Sequence, residues 1–422
     1  MRSLASWPPR TWGVLVLATG TLAASLFFYL NGAHHHGDID LYHSYAHAFW
    51  LAGGLPHIIP TEYPLLAVLP FSLTMLPPVH QPVIVFGLWM LVLFVAGFVV
   101  IARRESPRVT EICAVYLAVG AFATAVGRYD LVPLALTLGA YWFARSRRFL
   151  PAYALLAAGT LLKLYPAALL PIIAIEQYRV LGRGVLRSWP PADVLGVLRS
   201  WPPAGVLAGV GAFSAIVAAG FGIAYLMEPA GWLGPFTYGL RRPIQVESVP
   251  ATLLWAGSLA GFPVKTDLSF HSFNLLGSLT GAISIICNAA FLAGVAWVLW
   301  RQATGKLDLG RAVVAILLVV ICTGRVFSPQ YLIWVLPFIA IVERRYNPAW
   351  LVVCALTTLI FPIAYSGLHT VGSAPPVEFP LWFLGAIALR NLVMVAASVR
   401  VLAWTPPKAS LEARAWPRSS AA

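Results

Sequence analysis

Uninterrupted apolar runs alternate with short polar punctuation along the whole chain. The first, residues 12–30, is about as long as a helix needs to cross a bilayer. Further runs occupy 82–102, 110–126, 131–144, 150–162, 167–177, 205–226, 275–300, 312–323, 332–342, 351–365 and 379–404. The run over 63–76 is short and bounded by prolines, which predicts a partial insertion. Basic clusters close alternate runs: Arg103, Arg104 and Arg108; Arg145, Arg147 and Arg148; Arg179 and Arg183; Arg301, Lys306 and Arg311; Arg344 and Arg345. Lys and Arg gather on the cytoplasmic side of membrane proteins. The pattern therefore predicts an all-α polytopic membrane bundle of about 12 transmembrane segments with both termini inside, a single membrane domain over 1–422.

Three connections and a tail stand apart from the runs. The first, 32–81, contains GDIDLYHSYAHAFWL, in which Leu41, Tyr45, Ala48 and Phe49 fall at helical spacing while His43 and His47 share another face. This predicts a short interfacial helix with Asp38 and Asp40 at its start, where the helix dipole favours an anion. Gly53-Gly54 ends it, and Glu62-Tyr63-Pro64 leads back toward the membrane. The second, 179–204, is a cytoplasmic loop with a tandem repeat: VLRSWPPADVLG at 185–196 and VLRSWPPAGVLA at 197–208 agree at ten of twelve positions. Two copies are too few for a solenoid and mark a loop that tolerates insertion. The third, 228–274, is an outer loop; 405–422 is a basic cytoplasmic tail.

Composition agrees with the pattern. Hydrophobic residues make up 59% of the 422 and mean hydropathy is +0.80, more apolar surface than a soluble fold hides. The net charge of +13 is topological, so no nucleic-acid partner is implied. Cys113, Cys287, Cys322 and Cys354 lie in apolar runs without metal-type spacing and read as packing residues. The first run has no convincing cleavage site and is expected to remain as the first span.

Charge on the outer side is where chemistry is expected. Arg128, Lys163, Arg241, Arg242, Lys265 and Arg325 fall there against the sign rule, and all nine histidines fall there too. Lys163-Leu164-Tyr165-Pro166 separates two runs of about 20 Å each, so it predicts a helix break facing protein or a wet cavity. A carboxylate that deprotonates a hydroxyl, with Arg or Lys neutralising a phosphate leaving group, is the pairing that sugar transfer from a lipid phosphate requires. Asp38 is the expected base and Asp40 the second choice; both also read as capping or loop acids. Arg128 beside Asp130 reads equally as a local ion pair. Arg390, inside the last run, must face the bundle interior and reads first as structural. His34-His35-His36 with His43 and His47 have spacing that can share an ion but equally suit a polar loop; a divalent ion is conceivable there, and no metal or cofactor is expected to be required.

Several motifs in order resemble glycosyltransferase family 87. They are Asp38 four residues before Tyr42, Gly53-Gly54-Leu55-Pro56, Glu62-Tyr63-Pro64, Gly127-Arg128-Tyr129-Asp130, Lys163-Leu164-Tyr165-Pro166, Arg241-Arg242-Pro243 with Glu247-Ser248, and Ser328-Pro329-Gln330-Tyr331. The chain departs from the family where Leu65 follows Tyr63-Pro64 and where His57 follows Pro56. The resemblance, over about 37–340, implies a GT-C-type helical bundle whose first outer loop supplies a base aspartate, mapping onto Asp38. It implies a polyprenyl-phosphate sugar donor, as in actinobacterial mannosyltransferases, and inversion at the anomeric carbon. The expected binding residues are Glu62, Tyr63, Arg128, Asp130, Lys163, Arg241, Arg242, Glu247, Arg325, Gln330 and Tyr331. The expected partners are that donor, a glycolipid or glycan acceptor and membrane lipid, at the outer face of a bacterial plasma membrane. A transporter or flippase for a lipid-linked glycan is the competing reading, weakened by the lack of an inverted repeat between the halves.

Overall fold

The computed structural model describes residues 6–31, 37–51, 58–181, 204–369 and 379–403. Most of the tandem repeat, the first three histidines, Gly53 to His57 and the tail lie outside them. Chain order runs α1 (Pro9–Asn31), α2 (Gly37–Leu51), α3 (Val68–Phe71, with 3-10 turns on both sides), α4 (Pro82–Arg104), α5 (Pro107–Gly120), α6 (Thr124–Gly127), α7 (Leu131–Arg145), α8 (Phe149–Leu162) and α9 (Leu170–Val180). After the repeat come α10 (Ala204–Met227), α11 (Gly234–Arg241), β1 (Ile244–Gln245), α12 (Val249–Leu259), β2 (Val264–Ser269), β3 (Ser272–Gly277) and α13 (Thr280–Ala303). The chain then forms α14 (Leu309–Thr323), α15 (Tyr331–Glu343), α16 (Pro348–Thr358), α17 (Tyr365–His369) and α18 (Leu381–Ala403).

Five of these helices, α1, α4, α10, α13 and α18, are long and apolar enough to cross a membrane. Others, including α7, α8, α14 and α15, are apolar but only 13 to 15 residues long, rising roughly 20–22 Å against a hydrocarbon core of about 30 Å. Helix length thus supports a membrane bundle and matches five of the twelve expected crossings. The physical reason is burial: α15 hides every residue from Leu332 to Ile341, and α14 nearly as many. A helix wrapped by other helices need not present a bilayer-length face to lipid.

The core forms where α5 packs against α1, α15 and α16, with α14 beside α15 and α18. α10 and α13 pack on the periphery against α8 and α14 and leave apolar side chains such as Leu207, Ile223, Ile285 and Leu292 exposed, as lipid-facing helices do. Starts are set locally. Ser106 accepts the Val109 amide at 3.3 Å ahead of Pro107, and Asn347 accepts the Ala349 amide at 3.0 Å ahead of Pro348. The four cysteines are free, and all but the half-buried Cys322 are fully buried.

The expectation of an all-α chain is corrected within 228–274. Here α11 and α12 accompany an antiparallel sheet ordered β1-β3-β2, and the run expected to start at residue 275 gives its first residues to β3. β2 and β3 join through Phe270 and His271, both at positive φ (54° and 53°) between the paired Ser269 and Ser272. Such a turn normally needs Gly or Asn, so no punctuation marked the hairpin. Asn274 holds it from inside, its amide donating to Ser269 O at 2.9 Å and Ser272 O at 3.0 Å.

Arg390, fully buried on α18, locks this segment to the bundle. Its Nη1 lies 2.9 Å from Glu247 Oε2, it also bonds the Glu247 carbonyl, and its guanidinium covers the Phe327 ring at 4.1 Å. Neighbouring Asn391 donates to Ser248 O at 3.0 Å and Thr252 Oγ1 at 2.8 Å. Removing one partner of a buried pair strands the other charge. Arg390→Met is expected to lower stability by about 3–5 kcal/mol, read as a fall in melting temperature of the detergent-solubilised protein, with Glu247→Gln added to the same variant recovering part of the loss.

Candidate active site

Three helix starts meet at one end of the bundle, and Arg128 joins them. Gly127 ends α6, and Arg128 takes an extended backbone (φ −135°, ψ 148°) before α7. Its guanidinium forms an ion pair with Asp38 in the first turn of α2, while Nε donates to Gln330 Oε1 at 2.7 Å. Gln330 caps α15 and Asp130 caps α7, yet neither side chain makes a capping bond to its own helix. Both are turned to other partners. Helix N-termini carry partial positive charge, so this convergence favours a bound anion.

The second cation, Lys163, exists as a site residue because of Pro166. Proline has no N–H for the carbonyl four residues back, so α8 stops at Leu162 and Lys163 becomes extended (φ −157°, ψ 137°). The released Leu162 carbonyl accepts the Tyr129 hydroxyl at 3.0 Å. Lys163 Nζ reaches Asp130 Oδ1 at 2.7 Å, and Trp334 Nε1 donates to the same oxygen at 2.5 Å. Tyr129 and Trp334 wall the ammonium at 4.9 and 5.3 Å, with Tyr63 at 6.0 Å. Asp130 is fully buried and its Oδ2 has no partner among the described residues; the same holds for buried Tyr42 Oη and Arg242 Nε.

Glu62 sits on a third side. Tyr45 donates to its Oε2 at 3.1 Å and also meets Thr61 Oγ1 at 3.0 Å. Burial pushes the Glu62 carboxyl above its ordinary range, the Tyr45 hydrogen bond, His271 and Arg242 oppose the rise, and Asp38 adds to it. Tyr45 is pushed up to about 12, first by burial and then by the Glu62 charge, and so remains a donor. Arg242 arrives from the end of α11, donating from Nη2 to Ser272 Oγ at 3.1 Å beside the Tyr238 ring.

Of the residues expected from sequence, the structure links Asp38, Arg128 and Gln330 through one guanidinium. Asp130, Lys163, Tyr63 and Tyr331 adjoin them through shared aromatic contacts: Tyr331 stacks on Trp334 at 4.0 Å. Asp40 is exposed on α2, and Arg241 is exposed at the end of α11. Arg325 donates to the Leu240 carbonyl at 3.5 Å and its own carbonyl accepts the Gln245 amide at 2.9 Å, which ties loops together. Glu247 is engaged in the buried pair with Arg390. Sequence reasoning missed Trp334 and Tyr45. Trp334 lies three residues after Tyr331, one turn along the same face, and that spacing was the available signal. His43, expected beside His47, bonds Thr74 Oγ1 at 3.2 Å.

The arrangement defines a helical membrane protein with carboxylates and cations assembled at one end of its bundle, suited to moving a group between an anionic leaving group and a hydroxyl. Residues 61–186 match the family model of glycosyltransferase family 87, and that family implies a glycosyltransferase acting on a sugar donor and an acceptor. The matched stretch holds Glu62, Tyr63, Arg128, Asp130 and Lys163; Asp38 and Gln330, which contact Arg128, lie outside it. No curated protein matches the chain.

The Glu62 shift has a definite sign. A carboxyl whose folded pKa is raised favours folding below its unfolded pKa and loses that contribution as pH rises through the folded value. At neutral pH its charge is therefore a cost. Glu62→Gln is expected to raise the melting temperature at pH 7, with the gap to wild type closing toward pH 4, as thermal unfolding at the two pH values measures.

Proposed function

We propose that the protein moves a hexose, mannose, from a polyprenyl-phosphate sugar to a lipid or glycan acceptor at the outer face of the plasma membrane, with inversion. The observation carrying this reading is the Asp38–Arg128–Gln330 linkage at converging helix starts, with the Lys163–Asp130 pair alongside. Arg128 and Lys163 bind the donor phosphate and neutralise it as it leaves, Arg128 by its fork of donors and Lys163 as a point charge. Breaks in α-helical structure at Arg128 and Lys163 leave both backbones extended, and in this reading both cations meet the donor phosphate.

Asp38 is the base in this reading. It removes the acceptor proton as the hydroxyl attacks the anomeric carbon from the face opposite the phosphate, and attack from that side inverts the centre. Arg128 holds Asp38 in the resting structure; in this reading the donor phosphate takes over the guanidinium and releases the carboxylate to the acceptor side, a link that Asp40 lacks among the described residues. Gln330 and Trp334 orient Arg128 and Asp130, and Glu62, Tyr45 and Tyr63 line the acceptor side. The Tyr42 hydroxyl and Asp130 Oδ2, buried and without a partner among the described residues, support a polar ligand here.

Membranes supplied with labelled polyprenyl-phosphate-mannose and a lipid acceptor extract are expected to incorporate label into acceptor. Asp38→Asn, at normal expression, is expected to lower transfer by roughly 10²–10⁴-fold, the usual share of general base catalysis. Full transfer by Asp38→Asn removes it as the base; no transfer by wild type from this donor removes the sugar assignment. Arg128→Lys keeps the charge but cannot reach Asp38 and Gln330 together, so a loss of about 10²-fold is expected in the same assay.

A further inference from the structure

α7 and α15 both start at the candidate active site and both end at a second polar centre. Arg145 closes α7, Arg344 follows α15 with φ 57°, Glu105 follows α4, and Asp308 precedes α14. With Tyr141, Gly310, Arg311, Ile341 and Val342 they enclose a cavity of about 360 Å³, within the ~300–1,000 Å³ range of small-ligand sites. At 1.5 Å per residue it lies about 20 Å from the active-site end.

Its charges are unequal: Arg145, Arg311 and Arg344 face Glu105 and Asp308. Buried Glu105 is shared, its Oε1 taking Arg145 Nη1 at 2.6 Å and Trp142 Nε1 at 3.1 Å, its Oε2 lying 3.8 Å from Arg344 Nη2. Asp308 pairs with Arg311 and caps α14 through the Arg311 amide at 2.9 Å. Glu343, next to Arg344, accepts from Asn347 at 3.1 Å and lies within electrostatic reach of Arg311. The Arg145 and Arg344 side chains remain about half exposed, at 50% and 59%, so guanidinium edges border a half-open, mostly polar space.

A glycine lets the start of α14 pack closely against the wall. A Cβ on Gly310 would come 3.1 Å from Val342 Cγ2 and 3.2 Å from the Tyr141 hydroxyl, and Gly310 lies in the first turn of α14, the positive end of that helix. Three arginines, a helix start and a hydroxyl bordering one polar space together suit a tetrahedral oxyanion.

We propose that this cavity binds a phosphate group, carried either by an anionic phospholipid head or by a soluble phosphate ester, at the end of the bundle opposite the active site. Basic pockets between membrane helices take lipid phosphates in this way. Bound there, the phosphate bridges Arg311, Arg344 and Tyr141 and ties the ends of α7, α14 and α15 together.

The test uses the full-length protein in an uncharged detergent and reads melting temperature against added phosphatidylglycerol, phosphatidylcholine or glycerol phosphate. A rise with phosphatidylglycerol and not phosphatidylcholine supports the site with a lipid source; a rise with glycerol phosphate supports it with a soluble one. Arg311→Gln with Arg344→Gln is expected to weaken the response at least tenfold, and Gly310→Ala to weaken it by displacing the Tyr141 hydroxyl. Asp308→Asn keeps a capping side chain but removes the competing charge, so it is expected to tighten binding several-fold, a gain that misfolding cannot imitate. No shift with any phosphate ligand at low salt, or a response unchanged in the arginine double variant, overturns the proposal. Sugar transfer is not the readout, so the result stands apart from the proposed reaction.

Discussion

A lysine ammonium among apolar helices is tolerable only with a counter-charge beside it. The structure meets that constraint with Asp130, which then cannot cap its own helix. Much of the candidate-site end gathers around this one pairing. Arg128, two residues before Asp130, meets Asp38 and Gln330. Trp334 adds a second donor to Asp130 and is itself clamped between Tyr165 and Tyr331 at 4.2 and 4.0 Å.

Proline chemistry makes the pairing reachable. Without Pro166, α8 could continue through Lys163 and carry the ammonium round with the helix. With it, the backbone becomes extended, the orphaned Leu162 carbonyl is taken by Tyr129, and the Tyr129 ring covers the ammonium it helped to expose. Local backbone rule, aromatic packing and electrostatics act on the same three residues. A comparable economy appears at Arg390, where one guanidinium holds Glu247, the Glu247 carbonyl and the Phe327 ring. It thereby fixes the segment leading to Gln330.

The two ends of the bundle differ in how they treat charge. At the candidate-site end, carboxylates and cations sit deep between helix starts, with several polar atoms unpartnered among the described residues. At the opposite end, Arg145 and Arg344 lie at helix C-termini, where positive charge complements the dipole, and share Glu105, while Arg311 in the first turn of α14 pairs with the cap Asp308. Helices α7 and α15 run between the two, so each end is built on the same rigid struts.

Sequence alone determined the membrane class, the helix that follows the first apolar run, and the positions of Arg128, Asp130 and Lys163 as polar breaks between apolar runs. These follow from local rules: apolar run length, basic clusters, and glycine or proline at helix ends. It also marked Gln330 and Tyr331 through a motif. Only the tertiary structure decided which charges meet. Asp38 to Arg128 and Asp130 to Trp334 span about 90 and about 200 residues and leave no periodicity behind them. Nor could sequence place Glu247, whose carboxylate reads as a site acid until Arg390 arrives from α18 to bury it. The hairpin escaped for a related reason: Phe270 and His271 hold a turn that local preference opposes, and the contacts that impose it come from Asn274 within the sheet and from Tyr238, outside it, whose hydroxyl bonds Phe270 O at 3.1 Å.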